Sequence, residues 1–404
     1  MKKLALFLPL AMSLLTMACK NDEPQPEPEP EPTKAARTVL VYMVADNSLG
    51  RPGNAYDQLD IKEMQAAVND GALGANGRLL VYHCRYGVAQ GNYPVLCELR
   101  KNQKPDTLKR YPDNVDLYSV DPERMSEVFA EMKTLAPADS YGLVLWSHGS
   151  GWQNETTGVV TMPRRSYGVE QHGSSPKHYM SVESLGEVLD NHPFDFVYFD
   201  VCHMITVEVV YQLRHGAKTI VGSPTELPGP GMDYSINIPM FFAMPDADLV
   251  GAAEATFKLY NSQEGAMRTC SMTVVDTSAL DELAEASRQI YASYTGIEGK
   301  VSDFQTYTRS STTAAGTIYD YRSIVDRMTG ISAEQLADFD GAMKKAVLYA
   351  QSTPWIFEGQ SNAIRIKTYC GLGSYYISSL QEAERLGYMK LDWWKDVVSY
   401  AYSN

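Results

Sequence analysis

Two stretches of the sequence carry residue types suited to attack on a carbonyl: Ser147-His148-Gly149-Ser150-Gly151-Trp152 and Asp200-Val201-Cys202-His203-Met204. A thiolate, rather than a thiol, attacks an amide carbonyl, and a nearby imidazole takes the thiol proton and then protonates the leaving amine. Cys202 is therefore the candidate nucleophile and His148 the candidate base and acid. Gly149 has no side chain to keep its N–H away from a bound carbonyl oxygen, so that group and the N–H of Cys202 form a candidate oxyanion hole. Taken singly, a cysteine at a strand end is usually a small apolar residue, and a lone histidine usually has a satisfied structural role.

The elements that must position these residues are read from apolar periodicity. TVLVYMVA (38–45) is an unbroken apolar run ending at Asp46-Asn47, as expected of a strand buried on both faces, and a helical stretch follows its loop. RLLVYHCRY (78–86) and YPVLCELR (93–100) predict two further strands joined as a hairpin at the sheet edge. A helix over 121–135, the strand YGLVLWSH (141–148), a helix over 180–191, the strand FDFVYFDVC (194–202), a helix over 205–215 and the strand AKTIVGSP (217–224) complete the alternation. This pattern predicts an α/β/α sandwich with a mostly parallel sheet and right-handed crossovers. His148 and Cys202 then emerge from one edge of the sheet, on strands about 4.8 Å apart if they are neighbours. Beyond residue 240, three helical segments interleave with the strand-like pieces 269–276 and 373–379, so either the sheet continues or a helix-rich region packs on it.

With 404 residues, 44% hydrophobic, the chain can bury a large core. Its net charge of −14 argues against nucleic-acid binding, which needs clustered Lys and Arg. No basic amphipathic stretch marks a membrane-surface helix. An acidic surface favours cationic substrates, without identifying them.

Residues 1–19 have the form of an export signal: Lys2 and Lys3, the apolar run 4–15, then Ala18 before Cys19. Cys19 is the expected lipidation site of a bacterial lipoprotein, although Thr16 stands where such signals usually carry Leu; ordinary secretion is the alternative. Residues 20–36 alternate Pro with Glu and read as an extended stalk. The expected organisation is thus signal 1–19, stalk 20–36, catalytic core 37–240 and helix-rich region 241–404, in a protein held at the outer membrane or cell surface, or else periplasmic or secreted. The membrane is met through the lipid anchor alone. Of the six cysteines, five remain if Cys19 carries lipid, which leaves at least one thiol free in a monomer. Cys84 and Cys97 flank the hairpin turn and are a possible disulfide. No Cys/His spacing suits structural zinc, and no metal ligand is assigned.

The interval of 54 positions between His148 and Cys202 is near the roughly 50 between the His and Cys of caspases, although the caspase signature is absent. More specifically, SHGSGW around His148 and DVCHM around Cys202 resemble the His and Cys blocks of the clostripain family of cysteine peptidases, relatives of caspases, gingipains and separases. VYMVADNSL (41–49) resembles that family's first strand and turn, and GSPTELPGPGMDY (222–234) its segment after the cysteine. The resemblance implies a caspase-like fold, a His148/Cys202 dyad and cleavage of peptides or proteins after Arg or Lys. It further implies that Asp200 binds the basic side chain, as a carboxylate pairs well with guanidinium or ammonium; its alternative role is a strand-end cap. Asp233 is a second candidate for that pocket.

Members of the family are often zymogens that cut themselves between the two blocks, where Arg164 and Arg165 are the expected cleavage points in a loop; the alternative is a solvated basic pair. The chemistry requires no cofactor. Some members depend on calcium, which stays an open option with no site assigned, since no EF-hand loop occurs. The competing reading of the whole chain is a lipid-anchored binding protein that keeps the scaffold without activity.

Overall fold

The apolar run after the Pro/Glu segment forms β1 (Ala35–Val44), so Ala35 and Ala36, expected at the end of the stalk, already belong to the sheet. The computed structural model describes residues 33–152, 167–308 and 317–402, all within the unit Thr33–Asn404. The regions expected on either side of residue 240 therefore share one compact unit.

After β1 come α1 (Tyr56–Asn69), β2 (Gly77–Cys84), β3 (Val95–Leu99), β4 (Asp106–Arg110), α2 (Pro122–Leu135) and β5 (Ala138–Trp146). A short hairpin, β6 (Tyr167–Glu170) and β7 (His178–Met180), precedes α3 (Val182–Asn191) and β8 (Phe194–Asp200). Then follow α4 (Val207–Gln212), β9 (Ala217–Gly222), α5 (Tyr234–Phe241), α6 (Leu249–Asn261), β10 (Ser271–Asp276) and α7 (Leu280–Ser293). The central sheet has nine strands in the order Val347–Ser352, β10, β9, β8, β5, β1, β2, β3, β4. Its five inner strands, β9 to β2 in that order, are parallel, and the outer ones join antiparallel.

Both faces of the inner strands are buried, which is why their sequences lack polar alternation. Tyr42, Tyr82, Leu143 and Phe199 face the layer that holds α2, α3 and α4. Val41, Val81, Val144 and Tyr198 face the layer of α1, α5 and α6. The result is a caspase-like α/β/α sandwich with a large, mostly parallel sheet. Because side chains alternate between faces, Cys84 lies in the first core and Cys97 in the second. The disulfide considered from sequence is therefore not formed, and both thiols are free and buried.

In the C-terminal part, both expected arrangements occur together. β10 and Val347–Ser352 extend the sheet, while α7 and the helix Ala333–Ala346 pack on its face through Leu283, Ile290 and Phe339. The piece expected at 373–379 contributes only Gly373–Tyr375, which pairs with Ile318–Asp320 in a separate two-stranded sheet. β4 had no sequence signal, since DTLKR has neither apolar alternation nor a buried face.

The chain adds β2 on one side of β1 and β5 on the other, so the topological switch point falls between β1 and β5. The β5–β8 register puts Trp146 opposite Asp200. His148 and Cys202 each lie two residues beyond that pair, at the same height on the sheet edge. The same register puts Gly142 opposite Phe196, whose ring fills the space a β-carbon at Gly142 would take. Gly142→Ala should therefore lower unfolding free energy by about 1–3 kcal/mol through overpacking, measured by urea denaturation. Gly142→Ala with Phe196→Leu should recover part of that loss, and equal stability of Gly142→Ala and wild type would contradict the packing.

Candidate active site

The loop after β1 is built to hold the loop after β5. The Asp46 carboxylate accepts the N–H groups of Gly87 (2.9 Å) and Val88 (3.2 Å), fixing the turn against the end of β2. The Asn47 amide donates to the carbonyls of Val44 (2.9 Å) and Val169 (2.8 Å), and its oxygen accepts the N–H of Leu49. Ser147 Oγ donates to the Val44 carbonyl and accepts the Val169 N–H. With both neighbouring backbones fixed in this way, Ser48 Oγ meets His148 Nε2 at 2.8 Å and orients the ring. The sequence reading marked the Asp46-Asn47 turn but not Ser48, whose role appears only when β1 and β5 lie side by side.

Partial burial of His148, with the charge of Lys177 as the second cause, holds its pKa below the ordinary imidazole value. The ring is thus neutral at neutral pH and able to accept a proton.

Cys202 follows β8 at a turn in which His203 has φ 63°, an uncommon conformation for a residue with a side chain. This turn is held by the segment after β9: the His203 N–H donates to the Thr225 carbonyl (3.0 Å), and that of Ile205 to Ser223 (3.2 Å). Cys202 Sγ accepts the Leu227 N–H at 3.3 Å. Gly149 lies directly against the same turn. A β-carbon there would overlap Val201 and come 2.6 Å from the Cys202 carbonyl oxygen, so only glycine lets the two loops close.

His148, Cys202 and Asp200 line one cavity of about 260 Å³, together with Trp146, Leu227 and Phe357. Asp200 is 7% exposed and accepts the Met232 N–H (3.2 Å) and the Tyr234 hydroxyl (3.1 Å). Burial raises its pKa to about 7, against the pull of those two hydrogen bonds. Gly231, at φ 69°, keeps the cavity open beside it, since a β-carbon would sit 2.6 Å from both carboxylate oxygens. Behind the cavity, Asp60 accepts the Trp146 indole N–H at 2.7 Å. Burial, with the neighbouring Asp200 as the next cause, raises the Asp60 pKa to about 9. Asp60 went unrecognised in sequence because an acidic residue on α1 reads as part of a solvated face.

Asp233 does not join this group. It caps α5, accepting the N–H of Ser235 at 2.9 Å, and does not line the cavity. Cys19, Arg164 and Arg165 lie outside the described residues. Among the described residues, no group of three or more His, Cys, Asp or Glu is arranged to hold a metal ion. Nor is any of the described helices long and apolar enough to cross a membrane.

The clostripain family model matches residues 41–401. A curated clostripain of Hathewaya histolytica is 29% identical over 148 residues, which cover 33% of this chain and 26% of that protein's length. The chain also resembles the X-ray structure of an inactive zymogen C11 protease from Parabacteroides distasonis, with 29% identity and a TM-score of 0.75 over 91% of this chain and 99% of that one. A secreted C11 cysteine protease from Bacteroides thetaiotaomicron, solved with an irreversible peptide inhibitor, gives 27% identity and a TM-score of 0.74 over 90% and 99%.

The environment of His148 fixes its titration. In a Cys202→Ala variant, the His148 ring followed by NMR should titrate with a midpoint below 6.5. Lys177→Gln should move that midpoint upward; a wild-type-like value at or above 6.5 would contradict the assigned burial.

Proposed function

The chain belongs to the clostripain family of cysteine peptidases, and from that premise we propose that it hydrolyses peptide bonds after Arg or Lys, with Cys202 as nucleophile and His148 as base and acid. The observation that carries this reading is that one cavity is lined by His148, Cys202 and the buried Asp200, and among the described residues no Lys or Arg lines it. A guanidinium or ammonium entering there meets an unneutralised carboxylate in a water-poor site, where such a pairing is strong.

The steps follow from the geometry. His148 takes the Cys202 thiol proton, and the sulfur attacks the carbonyl carbon; the Gly149 and Cys202 N–H groups are the proposed oxyanion donors. The C–N bond breaks, and the leaving amine takes its proton from His148. Water then hydrolyses the thioester, with His148 removing a proton from it. No cofactor is needed for these steps, and calcium, if it contributes, would act through structure.

Self-activation by cleavage after Arg164 or Arg165 belongs to the same proposal. It is supported by the basic pair between the two motifs and by a relative of similar fold described as an inactive zymogen. Export with lipidation at Cys19 is supported by the N-terminal pattern, and one structural relative is described as secreted.

An arginyl chloromethyl ketone should label Cys202 stoichiometrically, read by mass spectrometry, while Cys202→Ala should lose turnover of arginyl reporters by about 10⁴-fold or more. Absence of both labelling and cleavage in folded protein would favour the inactive-scaffold reading. Fragments that form in wild type but not in Cys202→Ala would establish self-cleavage.

The pKa of Asp200 gives a further expectation. Only the ionised carboxylate pairs with a cation, so kcat/KM for arginyl substrates should rise as pH passes upward through about 7. Asp200→Asn should reduce kcat/KM for Arg and Lys by about a hundredfold or more. Unchanged selectivity in that variant would remove Asp200 from the specificity pocket.

A further inference from the structure

His148 lines a second cavity as well, of about 570 Å³, which shares no other described lining residue with the cavity that holds Cys202. This cavity lies at the switch point and is bounded by the loops after β1, β2 and β5 and by the β6–β7 hairpin. Its charge is opposite to that of the first. Arg51 from the β1 loop and Lys177 from the hairpin both line it, and neither pairs with a carboxylate among the described residues. Among the described residues the one carboxylate on its wall, Asp46, is engaged by the N–H groups of Gly87 and Val88.

The direction of a substrate across the two cavities follows from the chemistry. The residue before the scissile bond places its side chain with Asp200, on the cysteine side. The group that leaves must receive a proton from His148, so the chain after the scissile bond departs past the imidazole. On that side it enters the Arg51 and Lys177 cavity. We propose that this cavity receives the residues after the scissile bond and selects acidic side chains there through Arg51 and Lys177. The preferred site is then a basic residue followed closely by an acidic one. The inference rests on the Arg/Lys-directed peptidase reading and deepens it.

The test uses the active full-length protein and quenched fluorescent peptides with Arg before the scissile bond and Glu, Ala or Lys at the two positions after it. An arginyl aminocoumarin amide, which has no residues after the bond, is run in parallel. Wild type should show a Glu-to-Ala ratio of kcat/KM of about five- to tenfold, the size expected for two exposed ion pairs. The ratio should fall in 0.5 M NaCl, as such pairs are screened. In the Arg51→Gln/Lys177→Gln variant it should approach one, and in Arg51→Glu/Lys177→Glu the preference should turn to Lys. Since each protein is judged by its own ratio, a general loss of activity does not alter the reading. A wild-type ratio near one, or a preference unchanged in the double variants, with the coumarin amide still cleaved, overturns the acidic subsite alone. Failure of wild type to cleave the coumarin amide overturns the arginine-directed reading and this inference with it.

Discussion

The parallel pairing of β5 with β8 is the constraint on which the site depends. Trp146 and Asp200 are direct partners, so His148 and Cys202 leave the sheet at equal height on adjacent strands. Period-two alternation makes this pairing intolerant of a one-residue slip, since a slip would turn each strand's apolar set to the wrong layer. The fit of Gly142 against Phe196 opposes the same slip from lower in the pair. The relative placement of His148 and Cys202 is thus specified by core packing well below the edge of the sheet that carries them.

The electrostatic design divides at the imidazole. On the cysteine side, desolvation raises the pKa of the buried carboxylates Asp60 and Asp200, the charge of Asp200 raises that of Asp60 further, and two hydrogen bonds hold Asp200 near ionisation at neutral pH. On the other side are two cations and one carboxylate already engaged by backbone N–H groups. His148, whose pKa is lowered by burial and by the charge of Lys177, lines both cavities. A peptide lying across both cavities, as proposed, would meet a potential gradient along its length, with the sign changing near His148.

Much of this was legible in the sequence because long-range order was written in local pattern. The inner strands announced themselves as unbroken apolar runs, and the two motifs at their ends meet in one cavity. The failures have one physical cause, that a linear pattern does not state which face or which neighbour a side chain meets. Cys84 and Cys97 flank one turn yet belong to opposite cores. Asp233 has the right charge, but it caps a helix and does not reach the cavity. Ser48 and Asp60 act through partners about a hundred residues away, which only the strand order brings close. β4 is a mostly polar edge strand held by backbone pairing and by ion pairs such as Lys109 with Glu127, and so leaves no apolar alternation.

The segment from 153 to 166 is bracketed by chain that is held in place on both sides. Before it, β5 is paired with β1 and β8; after it, the N–H of Gly168 donates to the His148 carbonyl, and that of Val169 to Ser147 Oγ. A chain severed within that interval would therefore be two polypeptides sharing one sheet, with the histidine on one and the cysteine on the other. Its folded form would persist through non-covalent pairing, but refolding would become a second-order process whose yield depends on concentration. For such a molecule, dilution acts as a denaturant that the uncut chain does not feel.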